Sequence, residues 1–160
     1  MKTWRSLALV LTLAGAAAAA AAPREDLDLR AFLLADMLSS YAKTGEVCYV
    51  AFARTADPKT GQVQYLDPPP EFFARFKSRF AIKKASEHPA REKADPPINP
   101  ATGLPDGIYV VEIVQWLSGT TARVRTSLFR SPTWARGREL IVERETGAWE
   151  IRECTSRWTR

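Results

Sequence analysis

The sequence has few of the residues that most often carry out chemistry. Its 160 residues include two cysteines and one histidine. Two cysteines exclude a disulfide-dense scaffold and a cysteine-rich zinc site, and one histidine excludes a cluster of histidine ligands within the chain. There is no glycine-rich phosphate cradle, no metal-ligand spacing, and no serine in a nucleophile-elbow setting. No cofactor and no metal are expected. What is present is 46% hydrophobic and 26% charged residues, with five tryptophans. That is too apolar and aromatic for a disordered chain, and the length suits one domain.

Residues 1–22 read as a secretory signal. Lys2 and Arg5 form a basic start, an apolar stretch runs from Leu7 to Ala14, and the alanines up to Ala22 offer small-x-small cleavage sites. The alternative, an uncleaved anchor, is disfavoured because the stretch is short and alanine-rich for a span. The expected product is periplasmic or extracellular, with no stable membrane span after cleavage. Losing Lys2 and Arg5 leaves 21 of the 23 basic side chains against 18 acidic ones, a net charge of +3. This is an ordinary surface charge, so no nucleic-acid partner is expected. An oxidising compartment favours a Cys48–Cys154 disulfide, two separate buried thiols being the alternative.

Residues 23–160 read as a single α+β domain. A helix is predicted over Asp26–Lys43 from the stripe Leu27, Ala31, Leu34, Leu38 and Tyr41, with Asp26 as N-cap and Gly45 as stop. Val47–Ala53 reads as a buried strand. Thr55–Asp67 reads as a polar loop with a tight turn at Asp57-Pro58-Lys59-Thr60-Gly61. A short helix follows, capped by Asp67 and aligning Phe72, Phe73 and Phe76, and then a strand from Arg79 to Ser86. Residues 87–107 hold five prolines and read as an exposed connection. The last third is a four-strand antiparallel meander. Gly107–Leu117 and Thr120–Arg130 join at Ser118-Gly119, and Gly137–Glu145 and Ala148–Trp158 join at Thr146-Gly147. Alternation puts Tyr109, Val111, Ile113 and Leu117 on one face, opposite Ala122, Val124, Thr126 and Leu128.

This order of elements, with the final strand Gly147-Ala148-Trp149-Glu150-Ile151, resembles the cystatin-like or nuclear-transport-factor-like α+β superfamily, as found in small exported bacterial proteins. The resemblance implies a long N-terminal helix packed on a curved antiparallel sheet, with a pocket in the cone between them. It carries over no catalytic residue.

Four residues are singled out as pocket- or ligand-facing: Tyr109, Glu112, Trp116 and Arg125. Glu112 shares a strand face with Val110, Val114 and Trp116 and is expected near Arg125 or Ser127. It reads first as half of a cross-strand ion pair and second as a pocket carboxylate. His88, in Glu87-His88-Pro89, reads as a surface histidine. Arg123, Arg125, Arg130, Arg136 and Arg138 with Trp134 read as a solvated mixed-charge face, and alternatively as a polyanion site. The resulting expectation is a non-enzymatic exported module that binds a small ligand or an exported protein. A pocket hydrolase or isomerase using carboxylates is the alternative, and an inhibitor of a secreted hydrolase is a third reading.

Overall fold

The computed structural model describes residues 24–75, 80–89 and 96–160. The signal segment, Phe76 and the run Arg91-Glu92-Lys93 lie outside the described residues. Helix α1 (Arg24–Tyr41) is followed by strands β1 (Val47–Ala51), β2 (Ala53–Ala56) and β3 (Val63–Leu66), helix α2 (Pro70–Arg75), and strand β4 (Ala81–Lys84). A short β5–β6 hairpin (Ile98–Asn99, Leu104–Pro105) precedes β7 (Gly107–Trp116), β8 (Thr121–Ser131), β9 (Trp134–Glu145) and β10 (Ala148–Thr159). The chain is therefore mixed α and β. Its described strands form a six-stranded sheet in the order β10-β9-β8-β7-β1-β4, with two separate two-stranded hairpins.

The sheet is not antiparallel throughout. β1 pairs in parallel with both β4 and β7, while β7, β8, β9 and β10 pair antiparallel in sequence order. The stretch read as a polar loop is also different: Ala53–Ala56 pairs with Val63–Leu66 as a hairpin. Its turn is nonetheless the expected one. The Asp57 carboxylate accepts from the Lys59 and Thr60 amides at 2.7 and 3.1 Å, and Gly61 takes φ +70°. Asp67 does not cap α2 but receives the amide of Ser86 at 3.0 Å.

One face of the sheet is filled. Leu27, Leu29, Leu33, Leu34, Met37 and Leu38 of α1 are all buried. They meet Cys48, Val50, Tyr109, Val111, Val124, Leu128, Leu140, Val142 and Trp149 in one core. Burying each such apolar side chain stabilises the fold by about 1.5–3 kcal/mol. Arg30 extends from the same helix, donating from Nη1 to the carbonyls of Phe52 (2.9 Å) and Val111, with its guanidinium 4.3 Å from the Phe52 ring. These side chains occupy most of the space between α1 and the sheet.

Two turn details move residues from their expected faces. The β7–β8 link runs through residues 117–120, with Leu117 and Ser118 amides both bonded to the Thr121 carbonyl, so it is longer than a two-residue turn. A bulge between Ile113 and Gln115 adds one residue to β7. Because side chains alternate, the insertion reverses parity beyond it. Trp116 therefore pairs with Ala122 and packs 5.9 Å from Trp149 on the helix side, and Leu117 is exposed. The β9–β10 turn forms at Thr146-Gly147 as expected, both with positive φ, the combination that a tight hairpin requires.

The predicted disulfide is not formed: both Cys48 and Cys154 are free. Cys48 lies on β1 and Cys154 on β10, with β7, β8 and β9 between them. Four strand spacings amount to roughly 19 Å across a sheet, against the roughly 4.4–6.8 Å between Cα atoms that a disulfide spans. Both thiols belong to the helix-side core, but an oxidising compartment, which motivated the expectation, carries no distance.

Candidate functional site

The site lies on the opposite face. Ile108, Val110 and Glu112 of β7 and Arg125, Ser127 and Phe129 of β8 point away from α1, since their neighbours Tyr109, Val111, Val124 and Leu128 point toward it. At one end this face carries a small second core, in which Tyr49, Ala51, Ala85, Ile108 and Val110 pack with Tyr65 and Phe129. The β2–β3 hairpin folds over the rest but is too short to fill it. Beneath it is a cavity of about 580 Å³. Its roof is made by Arg54, Val63 and Tyr65, its floor by Val110, Ser127 and Phe129, and its far wall by Ala135 and Trp158.

Gly137 determines where that far wall stands. Trp158 pairs directly with Gly137, and its indole lies where a side chain would be: an ideal Cβ on Gly137 would sit 2.4 Å from the ring. Only glycine permits this approach. The ring is thereby brought within 6.1 Å of Phe129, extending the aromatic wall.

The charges around the cavity differ in how far they are already engaged. Arg125 is shared between Glu112 at 3.3 Å and Glu139 at 3.4 Å. Arg54 lies with its guanidinium 4.6 Å from the Phe129 ring, and its Nε is buried without a hydrogen-bond partner. Arg130 is bound most completely. Its guanidinium forks onto Glu46 at 2.9 and 3.0 Å and also donates to the Pro105 carbonyl at 2.7 Å. Glu46 has no exposed side-chain surface and receives the Tyr109 hydroxyl (3.0 Å) and the Lys43 amide (2.9 Å) as well. A buried carboxylate needs this degree of satisfaction to be tolerated. Burial, with the Glu46 charge second, pushes the Cys48 thiol up to about 12, so it is an inert core group.

His88 is not on the surface. It is 8% exposed, edge-on to Tyr49 at 4.6 Å, with Nε2 3.4 Å from the Asp106 carbonyl oxygen. Burial holds its pKa below the ordinary imidazole value, against the opposing influence of Asp106. The short 3-10 turn Ala85–Glu87 after β4 carries it inward to the cavity wall.

The four residues singled out from sequence therefore divide. Glu112 and Arg125 reach the cavity and are also the cross-strand pair. Tyr109 is fully buried in the helix-side core and Trp116 lies on that side too. Arg54, Tyr65 and Trp158 were missed as cavity residues, and Glu46 as the partner of Arg130. For Glu46 there was a signal: a carboxylate directly ahead of the apolar run Val47–Ala53 has little room to reach water. Among the described residues no group of three or more His, Cys, Asp or Glu side chains is placed to hold a metal ion, and no helix is long and apolar enough to cross a membrane. No family model, curated protein or solved structure matches the chain.

Proposed function

We propose that this chain is an exported, non-catalytic binding module whose outer-face cavity takes a small ligand with a flat apolar body and one acidic group. The carrying observation is the cavity itself, of about 580 Å³, within the usual range for small-molecule sites. Its apolar and aromatic lining, Tyr65, Val110, Phe129 and Trp158, suits a ring system. Arg54 supplies a positive charge whose Nε lacks a partner, and Arg125 supplies a second already balanced by carboxylates. Export rests on the signal pattern of residues 1–22.

A carboxylate enzyme is the second reading, favoured by Glu112 and His88 lining the same cavity. Binding is preferred because Glu112 is held by Arg125 and the His88 ring nitrogen faces a main-chain oxygen. Fluorescence titration with anilinonaphthalene sulfonate, an aromatic monoanion, tests the proposal. Saturable binding by the folded protein, lost in Ser127→Leu and weakened about tenfold in Arg54→Gln, is the expected result. Equal binding by all three proteins would overturn it.

A further inference from the structure

We propose that the crevice between the C-terminal half of α1 and the strands β9 and β10 is a second ligand site, one that takes a phosphate monoester group. It lies on the helix side of the sheet and does not depend on the outer cavity. About 240 Å³ in volume, it is lined by Met37, Tyr41, Arg136, Arg138, Arg157 and Trp158 among others. Alternation brings the three arginines together: Leu128 and Thr126 of the core pair across β8 with Arg136 and Arg138, and Arg138 pairs in turn with Arg157 on β10.

The arginines are held in place by groups that leave their charge largely unmatched. The Arg136 guanidinium lies 4.8 Å from the Trp134 ring and 5.2 Å from the Tyr41 ring, positioned by two aromatic faces. Arg138 lies 5.9 Å from the Tyr41 ring and pairs with Asp36. Arg157 donates Nε to the Cys154 sulfur at 3.5 Å. The Nε atoms of Arg136 and Arg138 are buried without a hydrogen-bond partner. In the ion pairs of the described residues, Asp36 is the one acidic partner of the trio. Three guanidinium groups against one carboxylate leave a local charge of +2. Arg152 on β10 differs, being bracketed by Glu143, Glu145 and Glu150.

A phosphate monoester matches this charge and shape. It carries about −1.5 to −2 at neutral pH and three acceptor oxygens, and planar guanidinium groups bind such oxygens in pairs. A sulfate monoester has the same outline but a single charge, so the site should prefer phosphate. The small volume accommodates the charged group and leaves the ester substituent outside, against Tyr41.

Phenyl phosphate titrated into the full folded protein, followed by the NMR signals of the arginine Nε–H groups and by calorimetry, tests the site. Saturable binding is expected, stronger than for phenyl sulfate. Arg157→Gln, an exposed position where folding is not at stake, should weaken it about tenfold, and Arg136→Gln by at least as much. Asp36→Asn should tighten binding, because it frees Arg138, whereas a merely structural trio would show no gain. Ser127→Leu in the outer cavity should leave phenyl phosphate binding unchanged. Phosphatidylcholine vesicles containing phosphatidic acid identify the source. Vesicle binding removed by Arg157→Gln supports the site with a lipid headgroup as its ligand, and vesicles left unbound while phenyl phosphate binds support it with a soluble ester. No binding of either probe, or phenyl phosphate binding indifferent to both arginine substitutions, would overturn the proposal.

Discussion

The two faces of the central sheet are built from the same strands and the same alternation, yet one is packed except for a small crevice at the end of α1 and the other is hollow. The helix-side face is covered by 18 residues of α1, which contribute six buried apolar side chains. The other face is covered by a hairpin of two four-residue strands, and the space it fails to fill is the cavity. An inward-facing apolar row becomes core or binding site according to the size of what is laid over it. Period-two patterning specifies the row but not its cover.

That contrast can be broken most severely at its buried charge. Glu46→Ala leaves Arg130 in the interior without its carboxylate and should cost about 3–5 kcal/mol, measured by urea unfolding. Glu46→Gln, which keeps the shape and some of the hydrogen bonds, should cost less. Next is the filled face itself. Leu33→Ala should cost about 2–5 kcal/mol, as expected where a packed core is emptied. On the hollow face the same measurement should give a smaller number in the opposite kind of experiment: Ser127→Leu adds bulk where space exists, and should change stability by about 1 kcal/mol or less while removing the ligand.

The smallest effect concerns acid. Burial lowers the His88 pKa in the folded chain, so the unfolded chain takes up the proton first. The stability associated with the neutral ring is fully present above about pH 6.5 and falls as pH drops below that value. His88→Phe keeps an aromatic ring against Tyr49 and removes the titration. It should flatten the loss of stability between about pH 7 and pH 5 relative to the parent protein, read from paired denaturation curves.

How far all this was legible in the sequence depended on the kind of signal each feature leaves. The strands from Gly107 to Thr159 are each ten or more residues long, and two of their three turns are marked by glycine, so their existence and most of their faces could be read directly. The β8–β9 turn at Pro132-Thr133 lacks one, and β9 starts at Trp134, ahead of the expected Gly137. Trp116 could not, because one inserted residue in β7 reverses its side without any mark in composition. β1 is apolar on both faces, as a strand flanked by parallel neighbours tends to be, and a uniform run does not say which strands lie beside it. The β2–β3 hairpin was hidden because Ala53–Ala56 and Val63–Leu66 are short and half exposed, so they resemble loop. Missing that hairpin meant missing the roof, and with it Arg54 and Tyr65. His88 was misread for a related reason: its proline-bounded context describes the chain around it, whereas its burial comes from Tyr49 and the Asp106 carbonyl, distant in sequence.

On the proposed function, the hollow face, and not the space under α1, receives the small aromatic ligand. Backbone and methyl NMR shifts followed during titration with anilinonaphthalene sulfonate test it most directly. Saturable shifts are expected at Val63, Val110, Ser127 and Ala135, with Leu34, Val111 and Val124 unmoved. Shifts centred on Leu34, Val111 and Val124, with the residues under the hairpin unmoved, would contradict it.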